Sequence, residues 1–337
     1  MQINWLSLSQ WEQIQLLNHC EQQTKMSAYS IEKDWWVTQV LKALSASLYA
    51  SHIVFKGGTS LSKGWNLIQR FSEDVDISIN REFLGFGGEL SKNQISDRLR
   101  RASCMFVRGD LRNEIENQLR QIGISNDYCT VSVNETDVST TDPETIEVAY
   151  LSVLPQLNYL RDKVLIEVGA RSLMEPAELI KYSSIIAEIV PKSFPLESVF
   201  TLQTVLPTRT FLEKLFLIHE EFSKPIAEIR IDRMSRHLYD IEKLMDTDFA
   251  KNALSNESSY KEVVSHRQKF IGLKGFDYNT LLPKRLNFRV PEAIKSKYGI
   301  DYRRMQDSMI YGDALSFKQL LERLEELNKR VNEIQFK

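Results

Sequence analysis

Residues 56–79 read KGGTSLSKGWNLIQRFSEDVDISI, and the organisation of the chain can be worked outward from them. Residues 52–56, just upstream, are β-branched and aromatic enough for a short buried strand, which the Gly57-Gly58 pair breaks. Residues 59–70 are expected to form a helix, because Leu61, Trp65 and Ile68 recur at helical spacing. In the stretch that follows, Val75, Ile77 and Ile79 alternate with Asp74, Asp76 and Ser78, the period of a strand with one apolar face, so both aspartates share the opposite face. Two glycines between a strand and a helix let backbone N–H groups approach phosphate oxygens, and Thr59 and Ser60 add hydroxyl donors. Sixteen residues after Gly58 the chain returns with two carboxylates close enough to share divalent metal ions with a triphosphate. Aspartate is disfavoured in strands, so pairing two on one face costs propensity unless a metal compensates. The combination is that of a two-metal phosphoryl-transfer site.

Around this unit, residues 27–48 read as an amphipathic helix capped by Ser27 or Ser30. Residues 85–88 read as a loop, and residues 91–122 as a helix with a possible break at Gly109. Strands are expected over residues 128–134, 146–153 and 163–171, and the sheet should be mixed, since only some strands are joined by helices long enough for a parallel crossover. After Pro207 the pattern turns helical: Phe211, Leu215, Ile218 and Phe222 form one apolar stripe, residues 235–245 another, and a last helix is expected from Ser316 to about Ile334. The fold class is α+β and bilobed, a mixed-sheet core flanked by helices followed by a mostly helical lobe. The boundary falls within residues 202–207, giving a domain over residues 1–204 and a second over residues 205–337.

The 337 residues, 42% hydrophobic and 26% charged, can bury a sizeable core, and 13 Gly with 9 Pro exclude a low-complexity chain. The first twenty residues lack the basic start and apolar run of a signal peptide, and no stretch approaches the roughly 18 apolar residues of a membrane span, so a cytoplasmic protein with no membrane partner is expected. Cys20, Cys104 and Cys129 are odd in number and widely spaced, as expected of reduced thiols. There is no phosphate-binding loop of the GxxxxGK[ST] type, and residues 85–88 lack the context of a dinucleotide fingerprint. Neither a GxSxG elbow nor an HExxH helix occurs, which lowers hydrolase and dehydrogenase readings.

The formal net charge of -2 hides an asymmetry: residues 261–304 hold eleven Lys or Arg against four acids. Phe270, Phe276, Tyr278, Phe288, Tyr298 and Tyr302 are interleaved with those cations. The composition suits phosphate contacts beside stacking faces for unpaired bases, and equally a solvated surface over aromatics that are simply core.

The GGTS and DVDI segments resemble the nucleotidyltransferase signature of the polymerase-beta-like superfamily. Together with IEKDWW, FKGGTSLSKG, FSEDVDI, FLEKLFLIH and RHLYDIEKL they resemble the AbiEii/AbiGii toxin family over residues 31–244, with weaker similarity in DYRRMQDSMIYG and SFKQLLERLEEL. The resemblance implies a bilobed nucleotidyltransferase, often the toxin of a two-gene toxin-antitoxin or phage-abortive-infection pair, some relatives adding nucleotides to the 3' end of tRNA. By that resemblance Gly57, Gly58, Thr59 and Ser60 would hold the triphosphate of an NTP, with Lys63 adding a phosphate contact, and Asp74 and Asp76 would bind Mg2+ or Mn2+. Glu167 fits the superfamily's third carboxylate on a later strand, since it points away from Val164, Ile166 and Val168; its alternative is a surface glutamate. Lys214 matches the family's helical lysine, which would neutralise triphosphate charge in the transition state, or else is a solvated lysine paired with an acid. Asp240 matches an aspartate that would orient the nucleophile or the lysine, or else forms a surface pair with Arg236. Glu32, Lys33 and Asp34 are expected to brace the active-site helix and strand, whereas His219 and His237 lack metal-ligand spacing and are left outside the site. The expected activity is transfer of NMP from NTP to an acceptor hydroxyl on RNA such as tRNA, by a toxin that has a cognate antitoxin. The alternatives are a catalytically silent NTP-binding module working through a partner protein, and transfer to a protein or small molecule.

Overall fold

The computed structural model describes residues 5–133, 144–155, 162–190 and 199–336; Asn134, the last residue of one expected strand, lies outside them. The chain forms two compact units, one of Met1–Gly64 and Phe71–Val205, the other of Trp65–Arg70 and Leu206–Lys337.

The first unit is built on a sheet of seven described strands, β1 (Ile53–Lys56), β2 (Asp74–Ile79), β3 (Cys129–Val133), β4 (Glu144–Tyr150), β5 (Lys163–Gly169), β6 (Ala177–Tyr182) and β7 (Phe200–Val205), in the order β3-β4-β5-β2-β1-β7-β6. The sheet is mixed as expected: β2 pairs parallel with β5 and β1 with β7, and the other neighbours are antiparallel. β6 and β7 were not expected as strands. In β6 only Leu179 and Ile180 are aliphatic besides Ala177, and they are adjacent rather than alternating, so no period of two is visible.

One face of the central strands carries Ile53, Phe55, Val75, Ile77, Ile79, Ile146, Val148, Val164, Ile166 and Val168, all buried. Each large apolar side chain contributes about 1.5–3 kcal/mol on leaving water. The helix Ala28–Ala46 covers this face, Trp36 stacking on Tyr150 at 4.8 Å. Ser27 caps it by accepting from Ser30 N, but the helix is buried nearly all round rather than amphipathic. Residues 92–121 run as one helix with widened π turns at Gln94–Leu99 and Val107–Leu111, so Gly109 sits in a wide turn and not at a break. The three cysteines are free and buried.

The helix expected over residues 59–70 ends at Gly64. A Cβ at Gly64 would lie 2.4 Å from the Tyr182 hydroxyl, and Asn66 takes a left-handed φ of 51°. Residues Trp65–Arg70 instead belong to the second unit. There the Tyr311 and Gly312 N–H groups donate to the Gln69 carbonyl, Gln69 N donates to the Tyr239 hydroxyl, and Arg70 bridges to Ile310.

The rest of the second unit is helical, with its longer helices at Pro207–Phe222, Ser235–Leu244, Glu257–Phe270, Lys295–Ser308 and Phe317–Asn332. Pro207 starts the first, and Phe211, Leu215 and Ile218 form its buried stripe. The last begins with a capping box between Ser316 and Gln319. Among the described residues no helix is long and apolar enough to cross a membrane.

Candidate active site

The polar face of β2 and its neighbours gathers the acidic residues singled out in the sequence. Asp74 and Asp76 are two residues apart on β2, and the parallel register with β5 places Glu167 directly opposite Asp76. All three are half-buried. On the other side of β2, the antiparallel register places Lys56 of β1 opposite Asp76, on the same face.

Gly57 follows at φ 82°, where a side chain is strained and where a Cβ would lie 1.9 Å from Asp76 Oδ2. The glycine therefore seats the Asp76 carboxylate directly on the backbone of the turn. Thr59 and Ser60 are buried and their hydroxyls are turned inward: Thr59 Oγ1 donates to the Asp74 carbonyl at 2.5 Å and Ser60 Oγ to the Gly57 carbonyl at 2.9 Å. In this arrangement they hold the turn against β2, and the half-buried Gly57 and Gly58 supply the backbone that a phosphate could approach. Lys63 pairs with Asp34, Nζ to Oδ1 at 2.7 Å, with both side chains under a tenth exposed.

The IEKDWW segment supports these elements from the covering helix. Glu32 accepts from Ser152 Oγ and Val153 N, Lys33 pairs at 2.5 Å with Glu73 just before β2, and Asp34 accepts from Lys63 and from Ile185 N. Burial raises the Glu32 pKa above the ordinary carboxylate range, against the two hydrogen bonds that favour its charged form.

Lys214 and Asp240 lie in the second unit. Asp240 is fully buried; its Oδ1 accepts from Arg70 Nε at 2.7 Å and its Oδ2 from Arg70 Nη2 at 2.8 Å and Lys214 Nζ at 2.9 Å. Asp240 thus lies in a buried cluster and not at the surface, where the alternative reading expected it. Burial alone would raise the Asp240 pKa, but the two cations outweigh it and hold the carboxyl well below its usual range. Burial lowers the Lys214 pKa, with Arg70 and Arg236 acting the same way and Asp240 opposing them. Arg70 and Lys214 share the Asp240 carboxylate. Arg70 was missed because it was read as the end of a helix; an arginine just before an acidic strand carries no period that would single it out. Asp301, from the DYRRMQDSMIYG segment, accepts from Arg233 N and Ser235 N at the start of the Asp240 helix. His237 is held neutral by burial and by Lys214 and Arg236, and His219 is engaged with Asn287 and Thr280, as suits packing roles.

The basic residues 261–304 resolve toward the core reading. Phe270, Tyr278, Phe288, Tyr298 and Tyr302 are buried, so they offer no stacking faces. Arg267 pairs with the buried Glu220, and Lys261, Arg285, Arg289 and Lys295 each face an acid.

The carboxylate face suits a hard divalent cation in donor type, since every side-chain donor is oxygen. Among the described residues no three His, Cys, Asp or Glu side chains converge on one point. A cation such as Mg2+ is ordinarily held by one or two carboxylates with substrate phosphates and water, and Asp74 and Asp76 beside the Gly57 turn provide that partial set.

A mixed sheet that sets a glycine turn against paired aspartates is the framework of a nucleotidyltransferase. The sequence profile described as "Nucleotidyl transferase AbiEii toxin, Type IV TA system" matches residues 39–323. The chain belongs to this family of type IV toxin-antitoxin nucleotidyltransferase toxins and is an enzyme of the nucleotidyltransferase class. A comparison of the sequence with curated proteins found no match. Among solved structures it is similar to MenT4, the nucleotidyltransferase toxin Rv2826c from Mycobacterium tuberculosis H37Rv, at 17% identity and a TM-score of 0.44, over 96% of this chain and 98% of that one.

Proposed function

We propose that the protein transfers a nucleoside monophosphate from NTP to an acceptor hydroxyl on RNA, with the 3' end of tRNA as the expected acceptor, using Mg2+ or Mn2+ held by Asp74 and Asp76 with substrate phosphates, and with Glu167 beside Asp76 as the third carboxylate of the site. The observation that carries this reading is the register that sets Glu167 beside Asp76 while Gly57 seats the Asp76 carboxylate on the phosphate-facing turn. The acceptor oxygen bonds to the α-phosphorus, the bond to the β-phosphate oxygen breaks, pyrophosphate leaves and the hydroxyl proton is released. When bound, the cations supply charge neutralisation and acidify the hydroxyl. Gly57 and Gly58 let the backbone approach the phosphates, with Thr59 and Ser60 fixing that turn. Lys214, paired with Asp240 in the second unit, is the residue to which the family resemblance assigns neutralisation of triphosphate charge.

The RNA acceptor is supported by the family resemblance; of the aromatic residues of the basic segment, five are core and Phe276 is half-buried. A cytoplasmic toxin restrained by an antitoxin, with growth arrest or phage defence as its effect, accords with the family. The test is incubation with each alpha-labelled NTP, magnesium and total tRNA, following label into RNA and protein separately. Magnesium-dependent label in RNA is expected. Label in protein alone would refute the RNA acceptor, and no label from protein that binds NTP would favour the silent binding module.

A further inference from the structure

The cations around the carboxylate face are not equivalent. Lys163, on that face, is paired with Glu147, and Lys63, beyond the glycine turn, with Asp34, so each has an acid partner. Lys56 differs. It is half-buried, it stands opposite Asp76 in the β1–β2 register, and its Nζ donates at 2.9 Å to Ser172 Oγ, a neutral acceptor. Among the described residues it forms no ion pair. Ser172 follows β5, which lies on the far side of β2, so the side chain reaches from β1 to the turn beyond the carboxylate strand.

The ammonium is partly desolvated and its hydrogen bond runs to a neutral hydroxyl, so it has the Asp76 carboxylate as a cross-strand neighbour without a direct ion pair. A charge-assisted bond to phosphate is roughly twice as strong as a neutral one, so an anion would displace the serine readily. Lys56 also directly precedes Gly57, whose backbone faces the same carboxylate. An anion at the Gly57 turn would lie next to the Lys56 main chain, and among the described residues Lys56 is a half-buried lysine adjoining that turn with no ion pair of its own.

We propose that Lys56 is a triphosphate-binding residue, exchanging the Ser172 hydroxyl for a phosphate oxygen of the nucleotide. The proposal rests on the nucleotidyl-transfer reading and names a contact that the family's motif residues leave to Lys63.

The experiment is calorimetric titration of the full-length protein, with magnesium, by each of the four NTPs and by inorganic tripolyphosphate as a probe without base or sugar. Lys56→Met is expected to weaken both NTP and tripolyphosphate binding by about 10- to 100-fold, as loss of one charge-assisted contact predicts. Lys56→Arg should recover most of that loss. Ser172→Ala separates binding from architecture: it should leave both affinities within about twofold of wild type, because the serine is only the resting partner. Lys56→Met with wild-type affinity for both probes overturns the proposal while leaving nucleotidyl transfer intact. A loss of about tenfold or more in Ser172→Ala also overturns it, since the lysine–serine bond would then be structural. That criterion holds even if Lys56→Met does not fold. Wild-type protein that binds neither probe refutes the nucleotidyl-transfer reading, and Lys56 with it.

Discussion

At the scale of single residues, the site depends on contacts too close to tolerate an added methyl group. Gly57→Ala would place a carbon 1.9 Å from Asp76 Oδ2 at a φ of 82°, so either the carboxylate or the turn must move. Transfer activity is expected to fall on the order of a hundredfold, roughly 2.7 kcal/mol in the barrier, for a stability cost of about 1–2 kcal/mol. Labelled-NTP incorporation and urea unfolding on the same preparation would measure the two. Asp240 carries a stability prediction whose sign depends on pH. Its folded pKa is depressed, so the ionised form stabilises the protein above the unfolded value of about 3.9, and that contribution is lost as pH falls toward the folded value. Asp240→Asn should cost about 3–5 kcal/mol at neutral pH by leaving Arg70 and Lys214 buried without a counter-charge, and the gap to wild type should narrow below pH ~4. A gap that stays constant down to pH ~3 in urea titrations would contradict the charge argument. Part of this was legible in the sequence. A period of two puts Asp74 and Asp76 on one face whatever the tertiary fold, but the inward turn of Thr59 and Ser60 depends on which carbonyls lie within reach.

Elements show the same division between local and distant causes. The β1 turn, β2, the Pro207–Phe222 helix and the Phe317–Asn332 helix were readable because caps, periodicity and glycines act within a few residues. Residues 65–70 were misread because Leu61, Trp65 and Ile68 repeat at helical spacing for a tertiary reason: the last two belong to a segment packed into the second unit. β6 was missed because a sheet edge needs little apolar alternation once its partner strand fixes it. The covering helix was read as amphipathic from Trp36, Val40 and Leu41 at helical spacing, whereas partners distant in sequence allow the charged Glu32, Lys33 and Asp34 to be buried as well. Gly312→Ala tests the packing of the 65–70 segment directly. A Cβ there would lie 2.0 Å from Gln69 Oε1 and 2.5 Å from Gln69 Cβ, so the second unit should lose about 1–3 kcal/mol in urea unfolding. An unchanged midpoint would mean that the segment is not held as described.

For the whole molecule, the chain leaves the first unit after Gly64, spends six residues in the second, and returns at Phe71, three positions before Asp74. Arg70, which holds Asp240 and through it Lys214, is thus four residues from the first metal-binding candidate. Two sets of residues far apart in sequence are joined by a short covalent link, and only the β2 set was evident as a local pattern. The register that brings Glu167 beside Asp76 spans ninety-one positions, beyond the reach of any periodicity. The most direct test of the account is the single-turnover rate of nucleotidyl transfer from alpha-labelled NTP to RNA by wild type, Asp74→Asn, Asp76→Asn and Glu167→Gln, each confirmed as folded by its unfolding midpoint. Both aspartate variants should lose on the order of a thousandfold, about 4 kcal/mol, and Glu167→Gln a smaller but clear share. Transfer at the wild-type rate by Asp74→Asn or Asp76→Asn would contradict the assignment of the chemistry to this face of the sheet.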